Sequence, residues 1–298
     1  MTGLELSRLF WEEQGKPAFT QELPGLLPRM AVGLAGEGSE CFGFDDDFSR
    51  DHDWGPAFCV WVTQRDFQLY GSQIQQVYDS LPSTRSGGLE RVGCLSIPNW
   101  YHRYTGSPTG PESIDQWRAV PESFFATAVN GAVFHDPLGE FSALRRRLLD
   151  FYPEDVRIKK LTARAAAMAQ AGQYNYPRCL RRGEIVAAQL ALGEFIRAAC
   201  SMTYLLNRRY APFYKWLHRG LRDLPLLPEL YGMLDQLAAL PDGPARQELI
   251  EGICRHMVAE LSRQGLTTRS GDFLLDHCPE MMEHIQDPRL RRSHIMEE

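Results

Sequence analysis

The chain has 298 residues, of which 44% are hydrophobic and 23% are charged, as in an ordinary globular protein. This length allows two domains with separate cores, or one large domain. The net charge of −6 excludes a global polycationic surface for nucleic acid or for an anionic membrane. The seven cysteines are scattered, odd in number and free of CxxC spacing, and the acidic N-terminal residues are atypical of a signal peptide. We therefore expect reduced thiols in a cytoplasmic protein.

The two halves of the chain differ in charge. Residues 1–150 contain 12 Lys and Arg against 20 Asp and Glu, whereas residues 151–298 contain 20 against 18. An acidic half that binds metal, paired with a more basic half that binds phosphate, would produce this asymmetry. Uneven surface charge without a function would produce it equally well.

The first half of the chain mixes strand and helix patterns. Its apolar, β-prone runs predict strands at Met30–Ala35, Asp51–Val62, Leu89–Ile97 and Ala132–His135. Helical spacing of apolar residues predicts helices at Leu4–Gln14, Phe67–Asp79 and Phe141–Phe151, with a helix start or turn at Asn99–Gly106. We expect prolines to end the first helix before Pro17 and to keep Ile114–Trp117 in a loop.

The second half contains only helical patterns. They predict helices at Val156–Ala171, Glu184–Asn207, Phe213–Leu221, Glu229–Leu240, Pro244–Gln264 and Glu280–Ile285. Gly172 is expected to cap the first of these, and Gln173–Arg182 to form a polar connection. Glu194 and Arg197 interrupt the longest apolar stretch, so we expect no membrane span. The sequence thus predicts an α+β fold, with a small mixed-sheet domain at residues 1–152 and an all-α helical bundle at residues 153–298.

The most specific chemistry lies between residues 36 and 62. The pair Gly38-Ser39 follows the first predicted strand, and Asp51-His52-Asp53 opens the second. Glycine at a strand end lets the backbone approach a phosphate closely, and the Ser39 hydroxyl can donate to the same oxygens. Because side chains two apart on a strand share a face, Asp51 and Asp53 would present two carboxylates to a magnesium ion. This pattern indicates a nucleotidyl-transfer site, and a solvated strand entry is the simpler alternative for the two acids.

The arrangement resembles the signature of the nucleotidyltransferase superfamily, which has the DNA polymerase β-like fold and includes the aminoglycoside nucleotidyltransferases. That signature is Gly-Gly or Gly-Ser, a short spacer, and Asp-x-Asp or Asp-x-Glu in a strand; here the spacer is Glu40–Arg50. The wider string GSECFGFDDDFSRDHDWGP resembles a bacterial branch in which a helical domain follows the catalytic-type domain. The stretches GQYNYPRCLRRGE (172–184) and LLNRRYAPFYKW (205–216) resemble the same branch, so the likeness spans most of the chain.

This resemblance implies roles for four residues. Gly38 and Ser39 would hold the β- and γ-phosphates of a nucleoside triphosphate. Asp51 and Asp53 would bind magnesium, with two ions expected, and would be the catalytic carboxylates. In phosphoryl-type transfer, metal ions and the positioning of the substrate do most of the work. These four residues would therefore supply the contacts that bind the triphosphate and its magnesium.

The sequence departs from the superfamily at the third carboxylate, which a later strand usually supplies. Glu90, at the start of the third predicted strand, is the first candidate for a catalytic acid. Asp115, in the predicted loop, is the second. The general base is left unassigned, and weak or lost catalysis stays an alternative.

Two further sets of residues are candidates for substrate contact. Lys215 lies among Tyr214, Trp216 and Pro212, where it would contact a phosphate, or where a base would stack on the rings. In the alternative, the rings pack inward and Lys215 is solvated. Asn175, Arg178, Arg181 and Arg182 would line a cleft between the domains, or else satisfy helix ends at the surface.

These observations lead to the hypothesis of a magnesium-dependent nucleotidyltransferase. It would move a nucleoside monophosphate from a nucleoside triphosphate to an acceptor hydroxyl and release pyrophosphate. The expected partners are the nucleoside triphosphate and a small-molecule acceptor in the interdomain cleft, with nucleic acid disfavoured by net charge, no membrane, and a homodimer left open beside a monomer. The rival hypothesis is a catalytically weak or inactive nucleotide-binding module that regulates a partner protein.

Overall fold

The computed structural model describes residues 1–50, 55–82 and 91–297. The chain divides into a first unit, Met1–Asp150, and a second unit, Phe151–Glu298. Asp51, Asp53 and Glu90 lie outside the described residues, so the geometry of these three predicted site residues stays a prediction.

The first unit is built on a four-stranded mixed sheet. Its strands are β1 (Ala31–Leu34), β2 (Cys59–Val62), β3 (Gly93–Ser96) and β4 (Ala132–His135). The order across the sheet is β3-β2-β1-β4, with β2 and β3 parallel and β1 antiparallel to both its neighbours. Strands β1 and β2 are buried along their whole length, as their uninterrupted apolar runs predict. The mixed sheet followed by helices confirms the predicted α+β class.

The N-terminal helix is longer than predicted. Helix α1 (Gly3–Phe10) passes through a π-helical turn into α2 (Lys16–Glu22). The expected break at Pro17 is wrong, because this proline lies in the first turn of α2, where its missing N–H needs no partner. Trp11 is fully buried in the turn and packs edge-on against Phe58, with ring centroids 5.3 Å apart.

The described residues of the first unit form six further α-helices: α3 (Ser39–Phe42), α4 (Gln64–Asp79), α5 (Ile97–Thr105), α6 (Ile114–Ala119), α7 (Glu122–Val129) and α8 (Glu140–Leu149). The prediction of a loop around α6 is wrong, since Ser113 and Gln116 form a capping box that starts a helix there. The third predicted strand is shorter than expected, because Ile97 and Pro98 already belong to α5. Trp61 of β2 stacks on Phe141 of α8 at 4.0 Å, which fixes that helix on the sheet.

The second unit is all helical. Its helices are α9 (Glu154–Met168), α10 (Tyr176–Arg181), α11 (Ile185–Leu206), α12 (Tyr214–Leu217), α13 (Leu230–Ala239), α14 (Pro244–Arg263), α15 (Cys278–Glu283) and α16 (Pro288–Arg292). The expected C-cap at Gly172 and the polar connection after it are wrong, because a π-helical segment, Ala169–Asn175, joins α9 to α10. Gly172 is needed for packing, since a Cβ there would overlap the Phe195 ring.

Helix α11 has the length and apolar composition of a membrane span. Of its most apolar window, 44% is buried inside the protein. Its C-terminal half is continuously buried, from Ala198 to Leu206. On its exposed side Glu194 and Arg197 form an ion pair at 2.7 Å. These are properties of a core helix, and the absence of a membrane span stays a prediction.

Candidate functional site

The candidate site lies in the loop that follows β1. Gly36 has a φ of +127°, a backbone conformation that favours glycine. Asn130 holds this residue from both sides: the Gly36 N–H donates to Asn130 Oδ1 at 2.9 Å, and Asn130 Nδ2 donates to the Gly36 carbonyl at 2.6 Å. The side-chain amide therefore replaces a strand partner at the point where β1 ends.

The turn between α7 and β4, Val129–Gly131, is itself fixed against the same loop. Gly131 donates its N–H to the Cys41 carbonyl at 2.7 Å and has a φ of +64°. A Cβ on Gly131 would overlap the carbonyl oxygen of Leu34. Arg145 donates to the carbonyls of all three turn residues, at 2.6, 3.2 and 3.2 Å, as a cation does at a helix C-terminus. Hydrogen bonds thus connect the loop after β1 to the turn before β4, although Gly36 and Asn130 are 94 residues apart in sequence.

Gly38 and Ser39 lie at the start of α3. Gly38 is extended, with φ −74° and ψ 150°, and precedes Ser39, the first helical residue. A Cβ on Gly38 would overlap the carboxylate of Glu40, which is buried beside it. The close neighbour of Gly38 is thus the end of a flexible carboxylate side chain, and the predicted approach of a phosphate stays a prediction.

A small open cavity of about 10 Å³, room for about one water molecule, lies beside this loop. Its lining residues are Leu34, Ala35, Glu37, Gly38, Glu40, Cys41, Arg91 and Val92. Arg91 lines the cavity just before β3, and Glu37 forms an exposed ion pair with Arg103 at 3.0 Å. The lining therefore combines one arginine with two acidic residues, Glu37 and Glu40.

Two groups of the first unit, the Tyr104 phenol and the half-buried Cys94 thiol, are held neutral. Burial raises the pKa of the Tyr104 phenol, which lies against Gly36. Burial also raises the pKa of the Cys94 thiol on β3 to about 12. Neither group ionises near neutral pH, so neither supplies a thiolate or phenolate nucleophile.

The carboxylates predicted to bind magnesium are Asp51 and Asp53, with Glu90 or Asp115 as a third acid. Within residues 1–50, 55–82 and 91–297 no group of three or more His, Cys, Asp or Glu side chains is placed to hold a metal ion. Asp51 and Asp53 lie outside those ranges, and their carboxylate oxygens are donors of the type that Mg²⁺ prefers. Asp115, the second candidate for a third acid, is exposed on α6 and pairs with Arg118 at 3.8 Å.

The substrate-contact candidates in the second unit are at its surface. Lys215 is exposed, and its Nζ lies 4.9 Å from the centre of the Trp216 ring. Phe213 and Tyr214 are also exposed, so these two rings do not pack inward as the alternative interpretation expected. Their ring centroids are 4.5 Å apart.

The basic set around α10 is more varied. Arg178 lies over the Tyr174 ring at 4.6 Å, whereas Asn175, Arg181 and Arg182 are exposed. No described contact gives these residues a substrate role, and that role stays a prediction.

The sequence reasoning missed Glu40, Arg91, Asn130 and Arg145. Glu40 and Arg91 carry no motif, because their proximity depends on how β1 and β3 are placed in the sheet. The dipeptide Asn130-Gly131 is a turn signal that was available in the sequence. It does not reveal that the asparagine side chain folds back onto Gly36.

Comparisons with known proteins give limited information. A family model described as a domain of unknown function, DUF4037, matches residues 117–217. A solved structure of a nucleotidyltransferase-like protein from Exiguobacterium sibiricum is similar at 12% identity and a TM-score of 0.37, covering 90% of this chain and 80% of that chain. No curated protein matches the sequence. At a TM-score of 0.37 this likeness carries no argument about the fold or the chemistry of this chain.

Proposed function

We propose that this protein is a nucleotidyltransferase that binds a nucleoside triphosphate at the loop after β1, with Mg²⁺. The supporting observation is the Gly36–Ser39 loop, which is held at the end of a buried strand and presents Gly38 to the cavity that Arg91 also lines. The spacing from Gly38-Ser39 to Asp51-x-Asp53 in the sequence supports the same function.

Each residue in this proposal has a defined task. The backbone at Gly38 lets phosphate oxygens approach, the Ser39 hydroxyl donates to them, and Arg91 offsets their charge. Asp51 and Asp53 would hold Mg²⁺, which supplies charge neutralisation on the triphosphate when bound. In the transfer, an acceptor hydroxyl oxygen bonds to the α-phosphorus and its proton passes to solvent, while the bond from that phosphorus to the bridging oxygen breaks and pyrophosphate leaves.

The proposed acceptor is a small hydroxyl compound. The net charge of −6 disfavours a polynucleotide, since phosphate contacts dominate nucleic-acid affinity. The proposed contacts of Lys215 and of the basic residues near α10 would belong to the nucleotide or to this acceptor. A cytoplasmic location is part of the same proposal.

The proposal is tested with the double variant Asp51→Ala plus Asp53→Ala. ATP with Mg²⁺ should raise the melting temperature of the wild-type protein by several degrees, because a ligand at about 100 times its Kd stabilises by about 2.7 kcal/mol. The double variant should lose that rise. The matched control is Glu12→Ala plus Glu13→Ala, which removes two exposed carboxylates from the N-terminal helix and should keep it. An equal rise in both variants would place the site elsewhere.

A second candidate function is a nucleotide-binding module without catalysis. The motivating observation is that Asp115 is exposed and paired with Arg118, so it is not held in a described acid cluster. Pyrophosphate release from ATP in the presence of mixed aminoglycoside and sugar acceptors separates the two functions. An enzyme releases pyrophosphate with at least one acceptor, and a binding module releases none at any acceptor concentration.

A further inference from the structure

We propose that Asn130 is a positioning residue for the phosphate loop Gly36–Ser39, an inference that rests on the proposed function. The residue does not line the cavity and is not part of the Gly-Ser motif. It acts through the backbone of Gly36, two residues before Gly38.

The hydrogen bonds of Asn130 determine the direction in which the loop leaves β1. One bond uses the Gly36 N–H and the other uses the Gly36 carbonyl, so the side chain fixes both peptide planes that flank the Gly36 Cα. Gly36 is in a region of φ and ψ that other residues rarely adopt, and glycine has the largest choice of alternatives. Without Asn130, the two peptide planes could rotate and carry Gly38 away from the cavity.

Asn130 can fix the loop because its own backbone is fixed. Arg145 binds the carbonyls of Val129, Asn130 and Gly131, and the Gly131 N–H is bonded to Cys41 beyond the loop. The loop is therefore held at its start through Gly36 and at its far side through Cys41. A loop that is held rigidly before the ligand arrives is pre-organised, because less conformational entropy is lost when the ligand binds.

The second unit supplies a matched control. Asn207 makes the same pair of bonds to Leu226, with the Leu226 N–H donating to Asn207 Oδ1 at 2.8 Å and Asn207 Nδ2 donating to the Leu226 carbonyl at 3.0 Å. Asn207→Ala thus removes the same pair of bonds, together with a third from Asn207 Nδ2 to the Thr203 carbonyl at 2.8 Å, and it changes no residue of the phosphate loop.

The experiment compares Asn130→Ala and Asn207→Ala with the wild-type full chain. Hydrogen exchange of the amides in residues 36–43 is followed without nucleotide, and the Kd for ATP with Mg²⁺ is measured by titration calorimetry. Asn130→Ala should speed exchange in that segment and raise the Kd about tenfold, since two hydrogen bonds of ordinary net strength are lost. Asn207→Ala should change neither quantity by more than about twofold.

If Asn130→Ala fails to fold, Asn130→Asp replaces it. The aspartate keeps an acceptor for the Gly36 N–H and cannot donate to the Gly36 carbonyl, so faster exchange and weaker ATP binding are again expected. Wild-type exchange rates in residues 36–43 of the folded variant would overturn the inference, as would an equal change in Asn207→Ala.

The two proposals fail in different ways. If the wild-type protein binds no ATP with Mg²⁺, the proposed function is wrong, and the exchange measurement still tests Asn130 by itself. If the wild-type protein binds ATP and Asn130→Ala binds it equally well with unchanged exchange, only the positioning role is wrong.

Discussion

The two units use the same device, an asparagine side chain bonded to both polar groups of a distant residue's backbone, for different purposes. In the first unit Asn130 holds Gly36 beside a cavity, across 94 residues of sequence. In the second unit Asn207, at the end of α11, holds Leu226 in the turn before α13, across 19 residues. The same pair of hydrogen bonds therefore supports a candidate site in the first unit and stabilises a turn in the second. The role of each pair depends on the backbone segment to which the asparagine is bonded.

The units also differ in what surrounds their crowded glycines. Gly131 faces a carbonyl oxygen of the neighbouring strand end, whereas Gly172 faces the ring of Phe195. Backbone held in a sheet cannot move aside, but a side chain can rotate or be replaced. We expect Gly131 to tolerate an added Cβ less well than Gly172.

The largest expected effect is that of Gly131→Ala. The new Cβ overlaps the Leu34 carbonyl, and the φ of +64° is unfavourable for alanine, so we expect a loss of about 3 kcal/mol or more in the free energy of unfolding. The measurement is urea unfolding followed by the tryptophan fluorescence of the first unit. Gly139→Ala is the control, because Gly139 has a similar φ of +72° with open space around its Cα. Equal losses in the two variants would show that overlap with the backbone is unimportant.

Gly172→Ala should have a smaller effect, about 2 kcal/mol, through overlap with the Phe195 ring. Adding Phe195→Leu should recover part of that loss, because the smaller side chain leaves room for the new methyl group. A double-mutant cycle by urea unfolding measures the coupling. Gly193→Ala, in open space on α11, is the control and should stabilise slightly through helix propensity. Strictly additive losses would contradict the proposed contact.

Asn207→Ala should cost about 1–2 kcal/mol, the net value of the lost bonds to Leu226. Leu227, the next residue, has a φ of +58°, and the clamp on Leu226 helps to hold that unfavourable backbone. The denaturation midpoint in urea checks this value. A midpoint equal to that of the wild type would mean that water replaces the asparagine at no cost, and it would weaken the comparison between the units.

The smallest expected effect concerns Glu280, which is half-buried at the surface. Hydrogen bonds from the backbone and side chain of Thr268, and from the Thr267 hydroxyl, lower the pKa of Glu280 to about 2. A lowered pKa stabilises the folded state above the ordinary value near 4.5, and this contribution is lost as the pH falls towards 2. Glu280→Gln should therefore be slightly less stable than the wild type at pH 6, with a difference that shrinks on acidification. A difference that is constant from pH 6 to pH 2.5 would refute this assignment.

The sequence predicted those parts of the fold that depend on local pattern. Strand β4 and helices α11, α13 and α14 follow from runs and periodicities within their own residues. Helices α6 and α7 differ from the prediction because prolines such as Pro111 and Pro121 indicate a loop locally, whereas Pro121 immediately precedes a helix. Gly172 resembles a helix end in the local sequence because its packing partner, Phe195, is distant along the chain. Both errors come from local signals whose meaning depends on tertiary contacts.

The candidate site divides in the same way. The position of Gly38-Ser39 after a strand was predicted and is confirmed, because strand and motif are adjacent in sequence. The residues that surround the motif in space, Glu40, Arg91 and Asn130, were not predicted. Nothing local to them encodes the pairing of β1 with β2 and β4 that brings them together.

The Arg145 contacts with Val129–Gly131 determine when the loop after β1 can fold during synthesis of the chain. Strand β1 leaves the ribosome long before Asn130 and Arg145 are translated, and domains form as their last required residues appear. A nascent chain that ends before α8 can pair β1 with β2, yet it lacks both side chains that fix Gly36. The loop is thus completed late, and pulsed proteolysis of stalled nascent chains should show residues 36–43 becoming protected only once α8 is present.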